Sequence, residues 1–427
     1  MSDVALEVRS LAESARRASA GLAQKSAEER NAALAAMAAA LREKTPEIVA
    51  ANQADMDAAR AAGTKESLLD RLMLDEGRIE GIAAALEELI ALPDPLGKVH
   101  EQRTLYNGIA LSRVSVPLGV VAVIYEARPN VTADAAGICL KSGNACVLRG
   151  GSMAAASCAT IARILHEAAV SAGMPKGCIE IVSTTDRAAT DALMQLHGLI
   201  DVLIPRGGAG LIRRCVEFSK VPVIETGTGN CHVYVHESAD QKMAYDIVVN
   251  AKCRRYGVCN AAETLLVDAS IAREFLPGML AALAARGVLC HCDEEAFSCA
   301  AFAGLANGKD FVAATEDDWG TEYLAPEIAV KCVSGVDEAI EHVNAYGTMH
   351  SEAIVATDEA ALEAFLNRVD AAAVYANVST AFTDGGQFGL GAEIGISTQK
   401  LHARGPFALE ALTSYKYVLR GNGQVRS

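Results

Sequence analysis

Between Pro117 and Ile224 the chain keeps one rhythm: a short apolar run, a helical stretch, then another apolar run. The runs fall at residues 119–125, 145–148, 179–182, 200–204 and 221–224, with an Ala-rich helical stretch at 154–172 closed by Gly173. Continuous rather than alternating hydrophobicity marks a strand buried on both faces. Repeated β-α units of this length demand parallel strands joined by right-handed crossovers, which is a doubly wound sheet. Ligands of such sheets gather at the carboxyl ends of the strands. Here those ends read Glu126-Ala127-Arg128, Arg149-Gly150-Gly151, Pro205-Arg206-Gly207-Gly208 and Glu225-Thr226-Gly227. A strand followed by glycines and a helix offers backbone N–H groups to an anion. Neither Gly207-Gly208-Ala209-Gly210 nor Gly227-Thr228-Gly229 has the three spaced glycines of the dinucleotide fingerprint. Each therefore reads either as a turn or as part of a nucleotide site.

The flanks differ. Roughly the first 95 residues read as consecutive helices, with a Ser26/Glu29 capping box and Thr45-Pro46 as cap and first helical residue. Asn107-Gly108 between two strand-like runs signals a hairpin whose turn residues need positive φ. A second α/β region opens near Cys231, with a strand at 232–235, a helix at 241–252 and a strand at 263–267. An alternating strand at 413–419 closes the chain. An isolated ribbon is marginal in water, so the hairpin and this strand are expected to pair across a subunit boundary.

Composition bounds the function. The chain has 427 residues, 53 acidic against 38 basic, for a formal charge of −15. That balance makes it a poor binder of nucleic acid or of an anionic membrane. No run reaches the ~18–20 apolar residues of a membrane span. Twelve cysteines without regular spacing, and an acidic residue at position 3 where a secretory leader would be basic, fit a cytoplasmic protein with reduced thiols. Cys290-His291-Cys292 lacks the paired spacing of a zinc site, and no metal is expected. Cys259 lies in a loop after Lys252, Arg254 and Arg255. Nearby cations favour a thiolate, so it reads as a reactive cysteine or, alternatively, as a small buried apolar residue.

Several longer motifs carry a resemblance. Tyr125-Glu126-Ala127-Arg128-Pro129-Asn130-Val131-Thr132, Leu140-Lys141-Ser142-Gly143-Asn144-Ala145, Tyr346-Gly347-Thr348-Met349-His350-Ser351-Glu352, Phe388-Gly389-Leu390-Gly391-Ala392-Glu393 and His402-Ala403-Arg404-Gly405-Pro406 resemble the aldehyde dehydrogenase superfamily, in its branch that reduces acyl phosphates. The resemblance spans nearly the whole chain. It implies an α/β, aldehyde dehydrogenase-like fold. An NADP-binding domain would comprise 1–98 and 119–228, with a return segment near 379–405. A catalytic domain would span 229–378, and an oligomerisation ribbon 99–118 and 406–427.

The same resemblance implies roles. Cys259 is the nucleophile and Asn130 the side-chain oxyanion donor. Arg149, Gly207, Gly208, Glu225 and Glu322 face the cofactor, although Glu225 stands where hydrolytic members keep a general base. Ser379, Thr380 and His350 are substrate-binding candidates. Two positions depart from the pattern. Arg254-Arg255-Tyr256-Gly257 replaces Gln-Arg-Pro-Ser, and Ala381 replaces an arginine. The implied reaction is NADPH-dependent reduction of L-glutamyl 5-phosphate to L-glutamate 5-semialdehyde in proline biosynthesis, without a metal. The implied assembly is a homodimer or homotetramer, with functional coupling to glutamate 5-kinase. Oxidation of an aldehyde to an acid or a CoA thioester, cofactor-free cysteine hydrolysis and a catalytically inert binding module are the competing readings.

Overall fold

The computed structural model describes residues 2–302, 304–305 and 309–426. The chain divides into two compact units: residues 1–226, 389–395 and 407–427 form the first, and 227–388 with 396–406 the second.

In the first unit, five helices precede the sheets: Asp3–Leu22, Ala27–Glu43, Thr45–Ala61, Glu66–Leu72 and Glu76–Ala91. The capping box at Ser26 forms, with Glu29 N–H donating to Ser26 Oγ (3.2 Å) and Ser26 N–H to Glu29 Oε2 (2.8 Å). Thr45 behaves otherwise than expected. It is the first helical residue, and its hydroxyl donates to Leu41 O at 3.0 Å, finishing the preceding helix instead of capping the next. Helix Asp3–Leu22 lays Val8, Ala12 and Ala15 against Val120, Ala122, Ala145 and Val147 of the sheet. That spacing is the apolar stripe of an amphipathic helix.

The sheet of this unit has four parallel strands in the spatial order Ile179–Ile181, Ala145–Arg149, Val120–Tyr125, Val202–Arg206. Val120–Tyr125 is buried throughout, as its unbroken hydrophobicity requires. Residues 221–224 do not extend the sheet as a full strand. Pro222 has no N–H to give, and the segment makes one bridge, Leu203 to Val223. Because the first and fourth strands in sequence lie side by side, their carboxyl ends form a topological switch point.

A three-stranded antiparallel sheet joins Val99–Thr104, Ala110–Pro117 and Thr413–Arg420. The hairpin is present, but only Gly108 has positive φ (82°). Leu105 pairs with Ile109, and Gly108 N–H donates to Leu105 O at 2.9 Å, so the loop has three residues ending on a left-handed glycine. The closing strand pairs with Ala110–Pro117 of the same chain, so the ribbon has its third strand without a partner subunit. Asn144 anchors this sheet to the parallel one: its Oδ1 accepts from Gly119 N–H (2.7 Å) and its Nδ2 donates to Leu412 O (2.9 Å).

Among the described residues the second unit carries seven parallel strands, ordered Phe311–Ala313, Leu289–Cys292, Glu327–Val333, Ala262–Asp268, Cys231–Val235, Ser351–Val355, Ala373–Ala376. Helices Gln241–Cys253 and Ala269–Ala284 cover one face through Val248, Ala251, Phe275 and Leu276. The structural division also narrows the expected return segment: 389–395 and 407–427 pack with the first unit, while 379–388 and 396–405 pack with the second. The hairpin at 99–118 belongs to the first unit rather than standing apart. Among the described residues no helix is long and apolar enough to cross a membrane.

Candidate active site

In the second unit, Cys259 sits half-buried in the loop between helix Gln241–Cys253 and strand Ala262–Asp268. Three neighbours fix its backbone. The thiol of Cys231 donates to Cys259 O at 3.1 Å. Gly229 lies so close that an added Cβ would stand 1.6 Å from Cys259 O. Asn260, the next residue, accepts from Thr380 Oγ1 through its carbonyl (2.8 Å) and donates through Nδ2 to Thr383 O (3.0 Å). Gly229 N–H also donates to Glu322 Oε1 at 2.7 Å, so the Cys259 loop and the Glu322 carboxylate meet on one glycine.

The cations before Cys259 differ in burial. Lys252 is fully buried and ion-paired with Glu263, also fully buried, while Arg254 and Arg255 are exposed. Burial lowers the Lys252 ammonium and raises the Glu263 carboxyl to about 7, with each partner opposing the other's shift. Glu263 Oε1 in turn accepts from Leu324 N–H at 3.1 Å, two residues past Glu322. Lys252 therefore ties together the two elements that flank the Cys259 loop. Tyr256, one of the departures from the family pattern, packs against the apolar core and donates to Arg286 O at 3.3 Å.

His350 and Thr380 are each 0% exposed, so neither side chain reaches the surface. His350 Nδ1 lies 2.7 Å from Ser351 Oγ and 3.7 Å from Cys231 Sγ, and burial lowers its pKa to about 4. Its neutral ring supports the thiol that holds Cys259. Ser379 is also buried, and its Oγ accepts from Ala381 N–H at 3.3 Å. Cys290 and Cys292 point into the core with thiols raised by burial, whereas His291 lies between Asp318 and Glu327 at 3.0 Å each.

In the first unit, the switch point carries the other expected residues. Glu126 Oε2 accepts from Gly208 N–H at 3.0 Å, across the ends of strands Val120–Tyr125 and Val202–Arg206. Gly208 precedes helix Ala209–Phe218, so this carboxylate occupies the anion-favouring end of a helix. A Cβ on Gly207 would meet that carboxylate at 2.7 Å. Beside it is a cavity of about 390 Å³ lined by Arg149, Arg187 and Arg214, among others. Arg149 donates to the carbonyls of Gly150 and Thr185 (both 3.1 Å), its Nε is buried without a partner, and burial lowers its pKa. Such a pocket suits a phosphate-bearing nucleotide. Glu225 lies half-buried in the loop after Ile224. Asn130 opens helix Asn130–Lys141, and its Nδ2 donates to Asp134 Oδ2 at 3.0 Å.

Sequence reasoning placed Glu126 at a ligand-gathering strand end and Gly229 in a glycine cluster, but missed Cys231 and Asp134. Their signals were present: a cysteine opening an apolar strand, and an acidic residue one helical turn past Asn130.

A fold of two parallel-sheet units, one with a cysteine held on a rigid backbone and the other with an arginine-lined switch point, defines a class. The chain belongs to the aldehyde dehydrogenase family, whose sequence model matches residues 3–299. Within that class the similarity runs to one enzyme. The chain is 53% identical over 99% of its length to a protein of Moorella thermoacetica named γ-glutamyl phosphate reductase, all of which is covered. It is 51% identical over its whole length to a Thermobifida fusca protein of the same name, again covered in full. The crystal structure of γ-glutamyl phosphate reductase from Thermotoga maritima superposes with a TM-score of 0.95 at 45% identity, covering 99% of this chain and 100% of that one.

Proposed function

We propose that this protein is an NADP-dependent, phosphorylating glutamate-5-semialdehyde dehydrogenase, which reduces L-glutamyl 5-phosphate to L-glutamate 5-semialdehyde with release of phosphate in proline biosynthesis. The observation that carries the reading is the 53% identity, over nearly the full length of both chains, to an enzyme of that name.

Cys259 Sγ attacks the acyl carbon, a C–S bond forms, and the C–O bond to phosphate breaks with its electron pair leaving on the phosphate. The product is a thioester whose carbonyl remains electrophilic. A nicotinamide cofactor, when bound, supplies the hydride. Collapse of the tetrahedral alkoxide then expels the Cys259 thiolate and frees the semialdehyde, so no net proton is needed at this step. Asn130 Nδ2 and the Cys259 N–H serve as oxyanion donors, and losing one such donor typically costs ~10²–10³ in rate. Arg149 and Arg187 would hold the nucleotide phosphates, Gly207 and Gly208 would face them, with the Gly208 N–H exchanging Glu126 for phosphate, and Glu322 would accept from a ribose hydroxyl. NADPH is the preferred cofactor in this reading, because the Arg149 guanidinium at the end of Ala145–Arg149 would attract the extra phosphate. The exposed outer strand Thr413–Arg420, with Tyr415 and Tyr417 on its surface, supports assembly as a homodimer or homotetramer. A cytoplasmic location and coupling to glutamate 5-kinase, which would supply so labile an acyl phosphate, belong to the same reading.

The test is a pair of variants. Cys259→Ala abolishes turnover while cofactor binding stays near wild type, and Cys253→Ala, at the helix end, keeps most activity. Near-normal turnover in Cys259→Ala, or inactivation that follows Cys253, would refute the assignment.

A further inference from the structure

We infer that Asp134 is a positioning residue for the reaction: its carboxylate holds the Asn130 amide in the one orientation that keeps an N–H available to the oxyanion. This rests on the reading of Asn130 as the oxyanion donor.

Asn130 is the first residue of its helix and Asp134 stands one turn later, with Nδ2 and Oδ2 3.0 Å apart. The two ends of a carboxamide have nearly the same shape but opposite hydrogen-bonding character. An unrestrained asparagine can therefore present its oxygen as readily as its nitrogen, and an oxygen facing an oxyanion repels it. An ionised carboxylate only accepts, so Asp134 bonds the nitrogen end alone. That bond uses one N–H of Asn130 and leaves the second. A protonated Asp134 carries an O–H, can donate to Asn130 Oδ1, and no longer selects the orientation.

The groups facing Asp134 come from three elements. Asn130 lies on its own helix, Arg206 ends strand Val202–Arg206, and Glu393 belongs to the segment 389–395. Burial raises the Asp134 carboxyl to about 6, the Asn130 bond and the Arg206 charge oppose the rise, and Glu393 adds to it. The side chain thus changes its hydrogen-bonding character within the working range of an enzyme. No cap explains it, since Pro129 at the helix N-cap provides no side-chain bond and Asp134 lies past the first turn.

The experiment follows NADP reduction by glutamate semialdehyde and phosphate between pH 5 and 8, with cofactor affinity measured separately by fluorescence. Asp134→Asn should lower kcat about 10- to 100-fold at pH 8, with KM and cofactor Kd within about twofold of wild type. The ratio of wild-type to variant kcat should shrink toward one below pH 6, a comparison in which ionisation of the substrates cancels. Asp134→Glu, which keeps an acceptor-only head, should recover part of the rate. Asp134→Asn with wild-type kcat, a pH-independent ratio, or an equal loss of cofactor binding would each overturn the inference. Asn130→Ala separates the two levels. A large kcat loss there beside a normal Asp134→Asn sinks the positioning role alone, whereas normal turnover in Asn130→Ala sinks the oxyanion reading and this inference with it.

Discussion

Gly229→Ala is the perturbation most closely worked from the geometry. The new methyl would lie 1.6 Å from Cys259 O, 2.4 Å from its carbonyl carbon and 2.7 Å from its Cα. Even a close carbon–oxygen contact stands at about 3.3 Å, so one backbone must retreat by about 1.7 Å. No side-chain rotation can relieve the overlap, because every atom met is main chain. Gly229 is held by Glu322 and runs through Asn230 into the buried strand Cys231–Val235, so the Cys259 loop is the part that yields. A misplacement of about 1 Å at a reacting atom costs about 10²-fold, and overpacking typically costs about 1–3 kcal/mol. Gly229→Ala should therefore lose at least about 100-fold in kcat, with slower alkylation of Cys259 by iodoacetamide and a lower unfolding midpoint. Gly81→Ala is the control: it lies inside helix Glu76–Ala91, where an added Cβ would meet nothing within 4 Å. Turnover within about threefold of wild type in Gly229→Ala would refute the claim that this glycine shapes the nucleophile's loop.

Other consequences follow from single interactions. Lys252→Met leaves Glu263 buried without its partner and should destabilise by about 3–5 kcal/mol, whereas Lys252→Met/Glu263→Gln should recover much of that in urea denaturation. His342 is buried beside His232 and Lys331, and burial above all lowers its pKa to about 3. The unfolded chain binds a proton there below about 6.5 and the folded one does not. The stability from neutral His342 is thus complete above that pH and lost on the way down, by about 2 kcal/mol between pH 7 and 5. His342→Gln should shrink the stability difference between those two pH values by about that amount. Glu126→Gln replaces the anion at Gly208 N–H with a neutral group and should tighten NADPH binding about two- to fivefold, the scale of one charge at a helix end. Weaker binding in titration calorimetry would show that the carboxylate helps hold the cofactor.

Much of this architecture is written locally. The apolar runs at 119–125 and 145–148 need burial on both faces, and the structure buries them in a parallel sheet. Ser26 and Glu29 specify their cap within four residues. What was not legible depends on distant partners. Lys252 reads only as a cation near Cys259, whereas the fold buries it against Glu263, eleven residues on. Thr45 looks like a cap until its hydroxyl reaches back to Leu41. His350 carries the chemistry of a binding residue, yet the fold buries it behind Cys231. The strand at 413–420 seems to lack a partner because its neighbour in space, Ala110–Pro117, is some three hundred residues earlier in sequence. The roles proposed for Cys259 and Asn130 come from the family motifs, since hydrophobic pattern locates strand ends but does not say which residue there reacts.

The central claim is the reaction class, and dependence on inorganic phosphate tests it most directly. Purified protein is given glutamate semialdehyde and NADP, with phosphate, arsenate, CoA or no acceptor. The account predicts NADP reduction with phosphate or arsenate and none with buffer or CoA alone, because the Cys259 thioester must be released by attack of an oxyanion on its carbonyl. Equal turnover without phosphate would make the chain a hydrolytic aldehyde dehydrogenase, turnover only with CoA would make it an acylating one, and either result would contradict the account.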